Sequence, residues 1–294
     1  MKIGRKKGRK MTEPQREYES PGPTAGSADE KQGGTGLRPL RRLFSSWIPL
    51  SVILLFGGAL FWAEKQDPFS RKWYTVKTAD GGKVKCVAVL PKPPRRRPVI
   101  VFAHGSGGTL MTDGRDLRQM AELGLAVVSL EYDQANSVTF AQQFEAVLKD
   151  LDRRAWADTN AVAWVGFSLG ANLLFDFAGQ HPDRQPQLLA CLSGRGLTNL
   201  SAESLPGPIR CPLLLVHGDQ DETFPIEDTK RLASVLRTNV SPVKLEVISG
   251  VGHNWQPERD VAFRCLGEYC RTRLAVHETW QDYVIAKLKA TTVK

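Results

Sequence analysis

The chain has 294 residues, of which 41% are hydrophobic and 24% charged, and its formal net charge at pH 7 is +9. Most of that charge lies at the front, because residues 1–46 hold 11 basic and 5 acidic side chains. The high isoelectric point is therefore a property of the tail and does not argue for nucleic-acid binding by the rest of the chain, so no nucleic acid partner is expected.

Two N-terminal segments differ in composition from the remainder. Residues 1–46 are rich in Lys, Arg, Gly, Pro and Ser and too poor in apolar side chains to bury a core, which predicts a disordered cytoplasmic tail. Residues 47–63 carry no charge and are bracketed by Trp47 and Trp62. Their length is at the lower end of the roughly 17–25 residues that span a bilayer.

We predict that residues 47–63 form a single transmembrane signal anchor. The arginines before the segment keep the N-terminus in the cytoplasm by the positive-inside bias, which places the following domain on the periplasmic or extracellular side. A cleaved signal peptide and a buried core helix are the alternatives.

From residue 73 onward, strand-like and helix-like stretches alternate. Strands are predicted at 73–78, 84–90, 98–103, 125–130, 161–165, 188–192, 213–216 and 243–248. Helices are predicted at 113–123, 140–154, 169–178, 226–236 and from 258 onward. This alternation predicts one α/β domain over residues 73–294, with a mostly parallel eight-stranded sheet, helices on both faces, and functional residues at the carboxyl ends of the strands.

A G-F-S-L-G pentapeptide at residues 166–170 follows one predicted strand and precedes a helix. Such a turn forces the residue at its apex into a strained backbone conformation, and glycines on either side allow the strand and the helix to approach closely. The hydroxyl of Ser168 is therefore expected at the edge of the sheet. A serine needs a base, and the base needs an orienting carboxylate. His253, in a glycine-rich loop after strand 243–248, is the candidate base.

The candidate carboxylate is Asp221, which follows strand 213–216 and precedes a helix that begins near Pro225. Two other acidic residues are close by. We interpret Asp219 as a turn residue and Glu222 as solvated.

Backbone amides are expected to hold a developing oxyanion. Strand 98–103 runs into H-G-S-G-G at residues 104–108, where glycines let N–H groups turn inward. The amide of Ser106, or that of Gly107, would pair with the amide of Leu169. A phosphate-binding P-loop is the alternative, but its lysine is missing here.

These elements together resemble the α/β-hydrolase superfamily, which uses the chain order Ser168, Asp221, His253. The compact layout is most similar to dienelactone-hydrolase-like and prolyl-oligopeptidase-like catalytic domains, although dienelactone hydrolases proper carry a cysteine at the position of Ser168. The resemblance implies an α/β-hydrolase fold and a serine hydrolase that cleaves small-molecule carboxylic esters through an acyl-enzyme, without cofactor or metal. A serine peptidase of the prolyl-oligopeptidase type and a non-catalytic binding protein on this scaffold remain alternatives.

The surroundings of the site are less sharply defined by the sequence. The connection 193–211, where the family often inserts a lid, is short and rich in Gly, Pro and Ser, so no large cap domain is expected. Arg195 would lie near the mouth and could bind an anionic group, an exposed surface arginine being the alternative. Tyr132 and Trp255 are predicted to line the pocket.

The five cysteines are odd in number and lack metal-ligand spacing. If the domain is exported, one disulfide is possible, and Cys191 with Cys211, which flank one loop, is the pair to test.

Overall fold

The structure is a computed structural model that describes residues 52–53, 67–111, 114–194, 207–237, 242–255 and 259–274. The chain divides into two units, Met1–Leu60 and Phe61–Lys294, and the first contributes only residues 52 and 53 to the described part. The predicted tail 1–46 lies outside the described residues, as does all of segment 47–63 except those two. Within the described ranges, no helix is long and apolar enough to cross a bilayer.

One eight-stranded sheet organises the described part of the second unit. Its strands are Phe69–Lys77 (β1), Lys83–Pro91 (β2), Arg97–Ala103 (β3), Ala126–Leu130 (β4), Ala157–Phe167 (β5), Leu188–Leu192 (β6), Leu213–Gly218 (β7) and Val243–Ile248 (β8). The spatial order is β1-β2-β4-β3-β5-β6-β7-β8. Only the β1–β2 and β2–β4 pairs are antiparallel, so the predicted mostly parallel sheet is confirmed.

In the described part of the second unit, four α-helices lie between strands, Gly114–Glu122 (α1), Ser137–Leu151 (α2), Leu169–Gln180 (α3) and Ile226–Arg237 (α4), and Arg259–Leu274 (α5) follows β8. Helix α2 begins three residues before its predicted start because Asn136 caps it. The Asn136 side-chain oxygen accepts hydrogen bonds from the N–H groups of Val138 and Thr139.

Strands β1 and β5 each begin well before their predicted starts at residues 73 and 161. Strand β1 begins at Phe69 because its register with β2 extends to the pair Phe69–Pro91, while several of its side chains are exposed and hide the apolar alternation. Strand β5 begins at Ala157, which pairs with Arg97 ahead of an irregularity in the β3–β5 register. Polar residues inside this stretch obscured its start.

The sheet separates two hydrophobic layers. Alternate residues of β3 show this, since Val99 and Val101 join the cluster under α2, α3 and α4, whereas Ile100 and Phe102 join the cluster under α1 and α5. Helices therefore cover both faces, as predicted. The carboxyl ends of β3, β5, β7 and β8 are left to carry the loops that form the site.

Cys191 and Cys211, the pair named for a possible disulfide, are not joined. All five cysteines are free thiols. In the β6–β7 register, Leu189 pairs with Leu213 and Cys191 pairs with Leu215. Cys211 is therefore offset from Cys191 by four positions, roughly 13 Å along the strand at about 3.3 Å per residue. A disulfide requires Cα atoms within about 7 Å.

Candidate active site

Ser168 stands alone between the end of β5 and the start of α3, in the strained conformation that the pentapeptide predicts. Its φ is 52° and its ψ is −116°, a region that non-glycine residues rarely adopt. The surrounding backbone holds it there, because the Ser168 N–H donates to Leu192 O at 2.9 Å and the Ser168 carbonyl accepts from Ala171 N–H at 3.1 Å.

Both glycines of the pentapeptide are required by close backbone approach. A Cβ on Gly166 would lie 2.5 Å from the Ala171 nitrogen. A Cβ on Gly170 would lie less than 3.0 Å from the carbonyl oxygens of Ala103 and His104. The start of α3 is thus pressed against the end of β3, which brings the serine turn and the 104–108 loop together.

His253 connects the serine to the acid. The Ser168 hydroxyl donates to His253 Nε2 across 2.9 Å, and His253 Nδ1–H donates to Asp221 Oδ2 across 2.8 Å. The imidazole packs edge-on against the Phe224 ring with centroids 5.1 Å apart. The three residues chosen from the sequence are therefore brought into one hydrogen-bonded line.

Asp221, and not the exposed Glu222, is held in place to act as the carboxylate partner of His253. Its side chain is fully buried, and Oδ1 accepts hydrogen bonds from the N–H groups of Thr223 at 2.9 Å and Phe224 at 2.8 Å. Glu222 next to it is exposed. The carboxylate that faces His253 is thus fixed by its own turn.

A second histidine, His217 at the end of β7, also faces Asp221. Its Nε2–H donates to Phe224 O at 2.8 Å and lies 3.2 Å from Asp221 Oδ2, while Nδ1 lies 3.0 Å from the Thr229 hydroxyl. Because a carbonyl can only accept, the Nε2 proton is assigned and the Thr229 hydroxyl donates to Nδ1. Burial lowers the pKa of His217 and favours its neutral form. From the sequence we predict no role for His217, although its place directly before Gly218 marks a strand end.

The loop at residues 104–108 lies against the serine turn. A Cβ on Gly105 would come within 2.9 Å of the Phe167 ring and 3.3 Å of the Ser168 Cβ. The Gly107 N–H donates to Gln134 Oε1 at 2.8 Å, so this amide already has an acceptor. Among the residues that the structure describes, no acceptor is found for the N–H of Ser106 or of Leu169.

The residues predicted to surround the site are placed differently. Tyr132 is 5% exposed, stacks on the His104 ring at a centroid distance of 4.4 Å and donates its hydroxyl proton to His104 O. Trp255 is 2% exposed and packs edge-on against Phe167 at 5.6 Å. Both therefore support the site from the core and do not form pocket walls, because aromatic rings that follow a strand also fill the space under its loop. Arg195 lies outside the described residues.

No group of three or more His, Cys, Asp or Glu side chains within the described ranges is arranged to hold a metal ion. The described residues therefore offer the Ser168 hydroxyl, hydrogen-bonded to the His253 imidazole, and the Asp221 carboxylate that binds this imidazole. The N–H groups of Ser106 and Leu169, which have no acceptor among the described residues, lie in the adjoining turns.

The strand order and the strained serine turn define an α/β-hydrolase-like protein. Residues 129–284 match the dienelactone hydrolase family, and the chain belongs to that family. It is 30% identical over 157 residues to a protein named "Putative esterase NocK" from Nocardia uniformis subsp. tsuyamanensis. That match covers 47% of this chain and 44% of the relative, so the chain spans less than half of the relative's length.

Solved esterase structures share the fold. Est1E from Butyrivibrio proteoclasticus has a TM-score of 0.57 at 18% identity, covering 69% of this chain and 99% of its own. A structural study of two fungal esterases from Rhizomucor miehei provides a match with a TM-score of 0.62 at 16% identity, over 84% of this chain and 100% of that one. Thermogutta terrifontis esterase 2, phosphorylated by paraoxon, has a TM-score of 0.59 at 16% identity, over 72% of this chain and 97% of its own.

Proposed function

We propose that this chain is a serine hydrolase that cleaves carboxylic esters through an acyl-enzyme on Ser168. The observation that carries the proposal is the hydrogen-bonded line from Ser168 Oγ to His253 Nε2 and from His253 Nδ1 to Asp221 Oδ2, at 2.9 and 2.8 Å. Both distances are within hydrogen-bonding reach without rearrangement.

In acylation, Ser168 Oγ attacks the acyl carbon while His253 Nε2 takes the hydroxyl proton. Asp221 orients the imidazole and stabilises its charged form. The N–H groups of Ser106 and Leu169 would hold the negative charge that develops on the carbonyl oxygen. When the carbon–oxygen bond to the alcohol breaks, His253 returns the proton to the leaving oxygen.

Deacylation repeats these steps with water. His253 takes a proton from the water as its oxygen attacks the acyl carbon, and returns it to Ser168 Oγ as the ester bond to the serine breaks. The products are a carboxylic acid and the free serine, so each step is balanced by groups of this chain and water.

The nucleophile argues for general ester hydrolysis over the dienelactone reaction. Ser168 occupies the turn at which dienelactone hydrolases proper carry a cysteine, and the relatives named above are described as esterases. We therefore propose small carboxylic esters as the substrate class.

Ester turnover by the full chain tests the proposal. The wild type, Ser168→Ala and the matched control Ser129→Ala are compared on short p-nitrophenyl esters and on aminoacyl p-nitroanilides. Ser129 is buried in β4, and its hydroxyl has no hydrogen-bond partner among the described residues, so its removal should leave activity intact. Loss of the nucleophile should reduce kcat by at least about a thousandfold. Unchanged ester turnover in Ser168→Ala would refute the proposal, and faster turnover of anilides than of esters would favour a peptidase.

We also propose that residues 47–63 anchor the protein in a membrane, with tail 1–46 in the cytoplasm and the hydrolase domain on the other side. The uncharged segment, its flanking tryptophans and the preceding arginines support this arrangement. After bacterial expression, the full chain should resist carbonate extraction, and protease added to intact spheroplasts should digest the hydrolase domain. Release by carbonate or protection in intact spheroplasts would contradict the topology, and a mature chain beginning after residue 63 would indicate a cleaved signal peptide.

A further inference from the structure

A single side chain from the segment after β4 is bonded twice to the 104–108 loop. Gln134 Oε1 accepts from the Gly107 N–H at 2.8 Å, and Gln134 Nε2 donates to Gly108 O at 3.1 Å. Both ends of the amide are therefore used. Rotating the amide by half a turn would set donor against donor and acceptor against acceptor, so the two bonds fix one orientation.

The 104–108 loop closes through a turn of a kind that has two alternative forms. The Gly108 N–H donates to Gly105 O at 3.0 Å, which makes residues 105–108 a β-turn, and Gly107 at its third position has a φ of 73°. Type I and type II turns differ by a flip of the central peptide, and a glycine at the third position permits the type II form. Here the central peptide joins Ser106 to Gly107, and Gln134 binds its N–H.

The segment that carries Gln134 is itself well anchored. Tyr132 donates to His104 O, and the Asp133 N–H donates to Gln143 Oε1 on α2 at 3.0 Å. The Ala135 N–H donates to Asp133 Oδ1 at 2.9 Å, directly before the capping residue Asn136. Gln134 thus extends from a fixed backbone, and the entropy lost on ordering its side chain is limited to its own rotamers.

We propose that Gln134 is a positioning residue that holds the central peptide of this turn in one orientation, so that Ser106, and not Gly107, supplies the loop's N–H to the oxyanion. This assignment rests on the proposed ester hydrolysis. With Gln134 in place, the Gly107 N–H is engaged and the Ser106 N–H is left without an acceptor among the described residues. The oxyanion exists only near the transition state, so Gln134 should affect kcat and leave substrate binding almost unchanged.

The test compares three full-length variants on a p-nitrophenyl ester. Gln134→Leu removes both hydrogen bonds, and Gln134→Glu keeps an acceptor for Gly107 but loses the donor to Gly108. Gln142→Leu is the matched control, because Gln142 is exposed on α2. Gln134→Leu should lower kcat on the order of tenfold or more with KM nearly constant. Gln134→Glu should lose less, and the control should match the wild type.

Two further measurements distinguish a role of Gln134 in positioning the turn from a general loss of structure. The acidic limb of the kcat/KM profile against pH should not move in either Gln134 variant, because the contacts of His253 with Ser168 and Asp221 are intact. Thermal melts show whether each variant has folded. If Gln134→Leu has not, the kcat of Gln134→Glu tests the role of Gln134. Three results for a folded Gln134 variant would overturn the role of Gln134. These are a wild-type kcat, a rise in KM as large as the fall in kcat, and a displaced acidic limb. A wild-type chain without Ser168-dependent turnover would instead overturn the proposed function, and the role of Gln134 with it.

Discussion

Asp219 and Gly250 join the loop that carries Asp221 to the loop that carries His253. Asp219 Oδ1 accepts from the Gly250 N–H at 2.6 Å, and Oδ2 accepts from the Ser249 hydroxyl at 2.9 Å. The hydrogen bond from Ser249, followed by that from Gly250, lowers the pKa of Asp219. The residue interpreted from sequence as a simple turn former therefore connects two of the three loops that meet at Ser168.

Removing this connection should impair catalysis without touching the reacting atoms. Asp219→Ala should lower kcat on an ester substrate by about tenfold or more, because small displacements of a general base are costly. Glu222→Ala is the control, since Glu222 is exposed in the same turn. Equal kcat for both variants would show that the His253 loop does not depend on Asp219.

Asp221→Asn should disable the base while preserving the shape of the turn. An amide that donates toward His253 Nδ1 favours the tautomer that carries its proton on Nε2. A protonated Nε2 cannot accept a hydrogen bond from the Ser168 hydroxyl. We expect kcat to fall by about 10⁴-fold, the effect of this change in a serine-protease triad. Steady-state kinetics measure the loss, and Glu222→Gln should retain wild-type rates. Near-normal kcat in Asp221→Asn would remove Asp221 from the triad.

Gly170→Ala should destabilise the fold at the serine turn. The new methyl group would lie less than 3.0 Å from two carbonyl oxygens, those of Ala103 and His104, so backbone must move. Overpacking of this kind costs about 1–3 kcal/mol. Gly114→Ala is the matched control, because a Cβ there meets no atom within 4 Å. Urea unfolding of both variants measures the difference, and equal midpoints would contradict the close approach seen here.

Stability should fall on mild acidification partly because of His217. Burial lowers the pKa of His217 in the folded state below the ordinary value of about 6.5, so the unfolded chain binds the proton more readily. The contribution of neutral His217 is present above about pH 6.5 and is lost as the pH falls through the lower, folded-state pKa. In melts between pH 7.5 and pH 5, His217→Gln should show a smaller drop in Tm than the wild type. Parallel curves would mean that His217 does not titrate on unfolding.

Cys191 and Cys211 should behave as slow, unpaired thiols in the native protein. Burial raises the pKa of both, that of Cys211 to about 12, so little thiolate forms at neutral pH. Alkylation at pH 7.5 should modify neither in the native state and both after unfolding without reductant. A tryptic peptide pair linked through these residues would restore the disulfide that the strand register excludes.

The sequence predicts those parts of the site that follow strands in chain order. Ser168, Asp221 and His253 are predictable because each follows an apolar run and lies in a turn or loop that contains glycine. The contacts of Gln134 with Gly107 and of Asp219 with Gly250 span 27 and 31 residues between loops that have no periodic pattern. Such pairs become visible only when the strand order has placed the loops side by side.

Aromatic residues near the site show a second limit of the sequence. Tyr132 and Trp255 follow strands as pocket-lining residues do, yet both lie in the core. A large ring after a strand can face the pocket or the space beneath the loop, and the choice depends on which neighbouring ring it meets. For Tyr132 that neighbour is His104, and for Trp255 it is Phe167.

The role of Ser168 as the nucleophile is tested most directly by identifying the residue that an active-site-directed inhibitor modifies. The full-length wild type is treated with a fluorophosphonate, and the adduct is mapped by peptide mass spectrometry in parallel with Ser168→Ala and Ser129→Ala. We predict one adduct, on Ser168, in the wild type and in Ser129→Ala, and none in Ser168→Ala. An adduct on a different residue, or equal labelling of Ser168→Ala, would contradict this role of Ser168.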